Sequence, residues 1–170
     1  MRRLRLLGVE ESQGERAEST TYHVNGFGLR YQLSALNAAI GLAQLGHFDK
    51  TAATRRSLWR TYRAALTDVP DATLIDVDID RAVPHLCQIL IPRQDKVFAR
   101  LRTAHICAGV HYPPNHLQPA FAPWHRPLPA TERTSAEILS LPFHPYLTKD
   151  DIAHVVRAVR DAVTTAPSGT

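Results

Sequence analysis

The hexapeptide HYPPNH, residues 111–116, sets two imidazoles and a phenol on a stretch that Pro113 and Pro114 stiffen. His111, Tyr112 and His116 are well suited to hydrogen-bond a polar ligand, because ring nitrogens and a phenol can both donate and accept. The competing use is hydrogen bonding within the loop itself. Metal binding by His111 and His116 is not expected, since neither lies on a regular helix that would turn both nitrogens inward and no third ligand follows at standard spacing. Cys87 and Cys107 are the only cysteines and lack CxxC spacing, which argues against a zinc site or a disulfide framework and makes a reducing cytoplasm the default compartment.

Such a loop needs elements to hold it. ICAGVHYP reads as a short strand stopped by the proline pair, and HLCQILIP upstream is a compact apolar run of strand length. Between them, RQDKVFARLRTAH fits a helix that buries Val97, Phe98 and Leu101, and before them ATLIDVDI alternates in the manner of a strand. Residues 113–130 hold six prolines and two aromatics, Phe121 and Trp124, which predicts ordered but irregular chain. TERTSAEILSLP reads as a helix entering a turn. Thr148 is an N-cap for a last helix to about Val163, with Asp150 and Asp151 in its first turn. The tail, 164–170, is expected to fray.

Further toward the N-terminus the periodicity is helical. In GFGLRYQLSALNAAIGLAQLGHF, residues 26–48, Leu29, Leu33, Leu36, Ile40 and Ala43 recur at three- and four-residue spacing, and Ala35, Ala38, Ala39 and Gly41 make the rest unusually small. A helix from about Gln32 to Phe48 is expected to be gripped on several sides by large partners, and Gly46 to bend or end it. TAATRRSLWRTYRAAL continues as a second helix over about 50–67, with Leu58, Tyr62 and Ala65 inward and Arg55, Arg56, Arg60 and Arg63 mostly outward. EESQGERAESTT, residues 10–21, reads as an exposed loop.

With 170 residues and 44% hydrophobic content, the chain can bury a core, which excludes bulk disorder. Its net charge of +4 comes from seventeen Arg and three Lys spread along the sequence, the pattern of a solvated surface rather than a nucleic-acid tract. The opening MRRLRLLGVEE imitates a signal peptide, but its apolar run ends at Glu10 and Glu11, so neither an export signal nor a membrane span is read.

Taken together, GFGLRYQLSALNAAIGLAQL, the basic helix after it, the loop GVHYPPNHLQPAF and the ending LSLPFHPYLTKDDI resemble the C-terminal half of the DegT/DnrJ/EryC1/StrS aminotransferases. These pyridoxal-phosphate enzymes typically aminate keto groups of nucleotide-linked sugars, in amino-sugar, polysaccharide or glycoside biosynthesis. The resemblance implies an α/β fold class: the C-terminal part of a fold-type I PLP-dependent transferase, with interface and connecting helices followed by a small α+β domain around a short, mostly antiparallel sheet. It divides the chain into a large-domain remnant with the interface helix (1–48), a connecting helix (49–72), a small domain (73–163) and the tail.

Pyridoxal-phosphate chemistry requires a lysine amine, an acid on the pyridinium nitrogen and a phosphate cradle. The resemblance places all three in the family's N-terminal half. None of Lys50, Lys96 and Lys149 matches the Schiff-base lysine, so the chain alone is expected to be inactive. The family's G-x-N-x-R pattern, whose asparagine reaches the cofactor phosphate of the neighbouring subunit, falls on Gly26, Gly28 and Arg30. Gly28 keeps a backbone N–H but lacks the amide donor, while Arg30 keeps a charge for cofactor or substrate phosphate, or for an interface ion pair. His111, Tyr112 and His116 fall on the loop bordering the family's substrate entrance, in reach of a sugar or diphosphate.

The implied partners are a second copy, a complementary N-terminal half or a full-length relative, with a nucleotide-sugar substrate and an amino donor such as glutamate. Nucleic acid and membrane are not expected. The rival readings are a non-catalytic partner dimerising through 26–66 and a basic nucleic-acid module, against which HLCQILIP lacks the paired aromatics that stack bases on a sheet.

Overall fold

A computed structural model describes residues 7–164; the reading of the charged opening lies outside the described residues over 1–6, and that of the frayed tail over 165–170. The chain divides between Phe48 and Asp49 into two units.

In the first unit, residues 7–10 run against 23–29 through backbone hydrogen bonds from Leu7 to Leu29, Glu10 to His23 and Asn25 to Gly8, with an isolated antiparallel bridge between Val9 and Val24. Gly8 makes this approach possible: it has φ +77°, and a Cβ there would run into the carbonyl of Gly26. The intervening residues, expected as a loop, contain a short helix α1 (Gln13–Ala17) closed by a Ser12–Glu15 capping box. Helix α2 (Ala35–Gly46) starts three residues later than the periodicity suggested. Ser34 stops it there, accepting a hydrogen bond from the Asn37 N–H as N-cap. No residue of α2 is buried, and Leu36, Leu42 and Leu45 are each about 70% exposed.

The second unit opens with α3 (Phe48–Leu66), which buries Ala52, Leu58, Trp59, Tyr62 and Leu66 on one face. Two of its arginines are less outward than expected. Arg55 and Arg56 are half-buried and donate to the carbonyls of His85 and Ala82, tying the segment 82–85 back onto α3. The sheet is three-stranded and antiparallel in the order β1 (Thr73–Leu74), β2 (Cys87–Leu90), β3 (Ile138–Leu141). The alternation in ATLIDVDI yields only two paired residues, Thr73 with Leu90 and Leu74 with Ile89. ILSL, expected within a turn, is β3: helix α5 (Pro129–Glu137) ends at Glu137 and the apolar run after it is buried as a strand. Conversely, ICAGVHYP pairs only through an isolated bridge of Gly109 with Ser140, leaving Ile106 as its buried anchor.

Helices α4 (Gln94–Thr103) and α6 (Lys149–Thr164) close the core, in which Val97, Leu101, Ile152, Val155 and Val159 meet Cys87, Ile89, Leu139 and Leu141. Thr148 caps α6, its hydroxyl accepting from the Asp151 N–H and donating to the Asp151 carboxylate. Tyr62 reaches across this core to donate its phenol to the Pro142 carbonyl at 2.8 Å, and burial raises its pKa. Burial likewise pushes the Cys87 thiol up to about 12, which makes it a packing residue rather than a nucleophile.

Ile89 is fully buried at the centre of the sheet, whereas Leu36 is 72% exposed on α2. Ile89→Ala should cost about 2–5 kcal/mol in stability, and Leu36→Ala should stay within about 0.5 kcal/mol. Urea-denaturation midpoints of the two variants check the contrast.

Candidate functional site

The period-two pleat decides which side chains of the sheet face the proline-rich loop. Cys87, Ile89, Leu139 and Leu141 point into the core; Gln88 and Ser140, directly opposite each other across β2 and β3, share the other face. Both of them hold His111. Gln88 Nε2 donates to the His111 carbonyl at 3.1 Å, and Ser140 Oγ shares a hydrogen bond of 2.9 Å with His111 Nδ1. The backbone of the same serine pairs with Gly109 in both directions, at 2.7 and 2.9 Å. Gly109 leaves room for the ring to fold back, since a Cβ there would lie 2.8 Å from His111 Cε1 and the ring would have to shift. Tyr112 stands next to this clamp, its ring edge-on to His111 at 5.0 Å between centroids, and is 73% exposed. The His111–Tyr112 peptide is cis.

His116 belongs to a second constellation. Two short 3-10 turns, Asn115–Leu117 and Pro119–Trp124, carry the loop toward α5. His116 Nε2 lies 3.0 Å from Glu132 Oε1, and that carboxylate oxygen also accepts the Leu128 N–H at 2.8 Å. The Leu128 amide first and the His116 ring second hold the Glu132 carboxyl below its usual range. The ring of His125 lies 6.1 Å from that of His116. Around them opens a cleft of about 520 Å³ lined by Asn115, His116, Phe121, Trp124, Arg126 and Leu128. His111 and His116 thus serve two different anchors, and among the described residues no group of three or more His, Cys, Asp or Glu could hold a metal ion.

The remaining candidates stand elsewhere. Gly28, half-buried, and Arg30, exposed, lie in the first unit on the extended run before α2. Lys50, Lys96 and Lys149 are all exposed on the surfaces of α3, α4 and α6. The clamp residues Gln88, Ser140 and Gly109, the anchor Glu132 and the cleft residues Phe121, Trp124 and Arg126 were not singled out as site residues from the sequence. The available signal was a single polar residue inside each of two apolar strands, CQIL and ILSL.

A small antiparallel sheet packed against helices, preceded by an apolar helix with no buried residue, is the C-terminal part of a fold-type I PLP-dependent transferase. The model of the DegT/DnrJ/EryC1/StrS aminotransferase family matches residues 1–160, and the chain belongs to that family. It is 33% identical over 139 residues to the erythromycin biosynthesis sensory transduction protein EryC1 of Saccharopolyspora erythraea, covering 78% of this chain and 38% of that protein. To the dTDP-3-amino-3,4,6-trideoxy-alpha-D-glucose transaminase of Micromonospora megalomicea it is 31% identical over 174 residues, covering 96% of this chain and 44% of the relative. Among solved structures, the sugar aminotransferase CalS13 from Micromonospora echinospora superposes with a TM-score of 0.83 at 25% identity, over 94% of this chain and 43% of that one. The chain therefore spans about two fifths of the length of the relatives it matches.

Because the Glu132 carboxyl is held below its ordinary value of 4.5, its ionised form favours the folded loop. That contribution is complete above pH 4.5 and is lost as the pH falls through the lowered folded value. Glu132→Gln should accordingly destabilise the chain at pH 7, and the gap from the parent should narrow steadily below pH 4.5. Thermal midpoints measured from pH 7 to pH 3 follow it.

Proposed function

We propose that this chain is the substrate-entrance and interface portion of a pyridoxal-phosphate-dependent aminotransferase acting on keto groups of nucleotide-linked sugars, and that it does not itself carry the lysine to which the cofactor is joined. The observation that carries the reading is the placement of its lysines on a fold shared with sugar aminotransferases. All three sit exposed on helix surfaces of the second unit, and none lines the cleft beside the histidine loop.

The bound cofactor supplies an electron sink that lets an amino group move between donor and keto sugar. On the family pattern, the exposed Arg30 guanidinium and the Gly28 backbone N–H would hold one edge of such a cofactor, while none of the chain's three lysines lines the cleft. The contributions of this chain are binding and orientation. Tyr112 presents a phenol to solvent on a backbone pinned by Gln88 and Ser140, so it can meet a sugar hydroxyl or a diphosphate with little further loss of conformational freedom. His116 is fixed by Glu132 and presents its ring to the adjoining cleft.

The uncovered face of the first unit gives the second half of the proposal. Phe27, Leu29, Tyr31, Leu33, Leu36, Ile40, Leu42 and Leu45 are at least half exposed, and exposed apolar side chains in such number support an association surface. We assign it to association with a cofactor-bearing large domain, from a complementary half, a second copy or a full-length relative. Gly28 favours one variant of this reading, in which the chain is a non-catalytic partner, since it has no side-chain amide to donate to a phosphate. Among the described residues no helix is long and apolar enough to cross a membrane, and β2 carries no exposed aromatic on which a nucleic-acid base would stack.

Incubating the purified chain with pyridoxal phosphate and reducing with borohydride is expected to label no lysine preferentially, and keto sugar nucleotide with glutamate is expected to remain unconverted. One specifically labelled lysine accompanied by turnover would defeat the proposal.

A further inference from the structure

The buried hydroxyl of Ser140 has a single partner among the described residues, the Nδ1 of His111 at 2.9 Å. Its surroundings supply no second one. The Ser140 backbone N–H and carbonyl are both taken up by Gly109. Gln88, directly opposite on β2, donates its amide to the His111 carbonyl and leaves the ring to the serine. The other ring nitrogen, Nε2, has no partner among the described residues and is not a buried atom, so it opens to solvent. Two arrangements of protons fit the contact. In one, the hydroxyl accepts from Nδ1–H and its own proton is left buried without an acceptor. In the other, the hydroxyl donates to a bare Nδ1, and the neutral ring must carry its proton on Nε2. A buried donor with no acceptor bears the full cost of its lost hydration, whereas an oxygen that keeps one bond and leaves a lone pair idle bears less. The second arrangement is therefore the stable one.

We infer that Ser140 is a positioning residue that fixes the tautomer of His111: its hydroxyl donates to Nδ1, the proton of the neutral ring sits on Nε2, and the loop turns an N–H donor outward. The hydrogen bond made by one ring nitrogen of a histidine sets what the other can do. Here it makes the exposed nitrogen a donor, so His111 favours an acceptor oxygen over a donor group. Gln88 adds the second constraint. With the carbonyl and the ring of His111 both held, the direction of the Nε2–H is set before any ligand arrives. That the oxygen belongs to a nucleotide-linked sugar rests on the reading proposed above; the tautomer does not, because it follows from the burial of one hydroxyl.

The test is heteronuclear NMR of the imidazole nitrogens in the isotopically labelled chain at about pH 8, where an ordinary histidine is neutral. The His111 signals are assigned by their loss in His111→Gln. A fixed tautomer holds its two nitrogens at widely separated shifts, while interconverting tautomers average them. His111 is expected to show one tautomer protonated at Nε2, and the exposed His105 and His154 to show averaged signals. Ser140→Ala should draw the two His111 shifts toward those averaged positions. A proton found on Nδ1 of His111 in the parent overturns the inference, as does a pattern that Ser140→Ala leaves unchanged; if that variant does not fold, the parent spectrum alone decides. Sulfate, which can only accept, is expected to move the Nε2 signal of His111 further than that of His154, and ammonium, which can only donate, is not. A ring protonated at Nε2 that sulfate leaves unmoved would overturn its outward role and reduce Ser140 to an anchor of the loop. These readouts involve neither lysine labelling nor turnover, so failure here is distinct from failure of the aminotransferase reading.

Discussion

The organisation of the second unit depends on one cross-strand pair. Gln88 and Ser140 face each other on the side of the sheet turned away from the core, and the two of them fix His111 by its carbonyl and its ring. Ser140 is the one buried polar residue of the described core, at 3% exposure, and a buried hydroxyl without a partner is costly. Its backbone is satisfied by Gly109 and its side chain by His111, so the loop cannot leave without stranding polar groups of β3. A short sheet and a loop rich in proline thereby stabilise each other. The stiffness of 111–116 comes from prolines in the sequence, but its position comes from the sheet face beneath it.

The first unit is governed by the opposite circumstance. Its local order is built from backbone contacts, a capping box and a glycine at positive φ, while its apolar side chains, the buried Val9 apart, remain largely outside. Burying a side chain such as leucine is worth about 1.5–3 kcal/mol, and α2 with the run before it presents several of them. Membership in a family whose matched members are more than twice as long gives these side chains a natural destination, and the exposure of the face is the physical reason for the association proposed above.

The loop between β2 and β3 has two anchors of different kinds. At His111 the ring is held by a neutral hydroxyl on the sheet; at His116 it is held by a carboxylate at the start of α5 that also accepts a backbone amide. The second is electrostatic, so acidification through the lowered range of Glu132 loosens that end of the loop. Phe121, Trp124 and Arg126 lie within the stretch that the His116–Glu132 contact closes, and all three are exposed.

What the sequence by itself determined is the longer helices and the resemblance that joins them. The spacing of Leu58 and Tyr62, of Val97 and Leu101, and the Thr148 cap are local signals, complete within a turn or two of chain, and the structure has each where its spacing predicts. The residue types of His111, Tyr112 and His116 and the prolines that stiffen their loop were visible in the sequence, but the partners that hold the two histidines were not. Strand pairing was not, because register depends on residues far apart: ILSL became β3 only through β2, about fifty positions earlier, and ICAGVHYP lost its strand when its single bridge went to Ser140. The same holds for what fixes the site. Gln88, Gly109, Ser140 and Glu132 matter through contacts of 16 to 29 positions' separation in the chain, or through the room left for a ring, and periodicity carries no record of either. Tertiary structure decided which polar residues of two apolar strands came face to face, and with them where the loop is held.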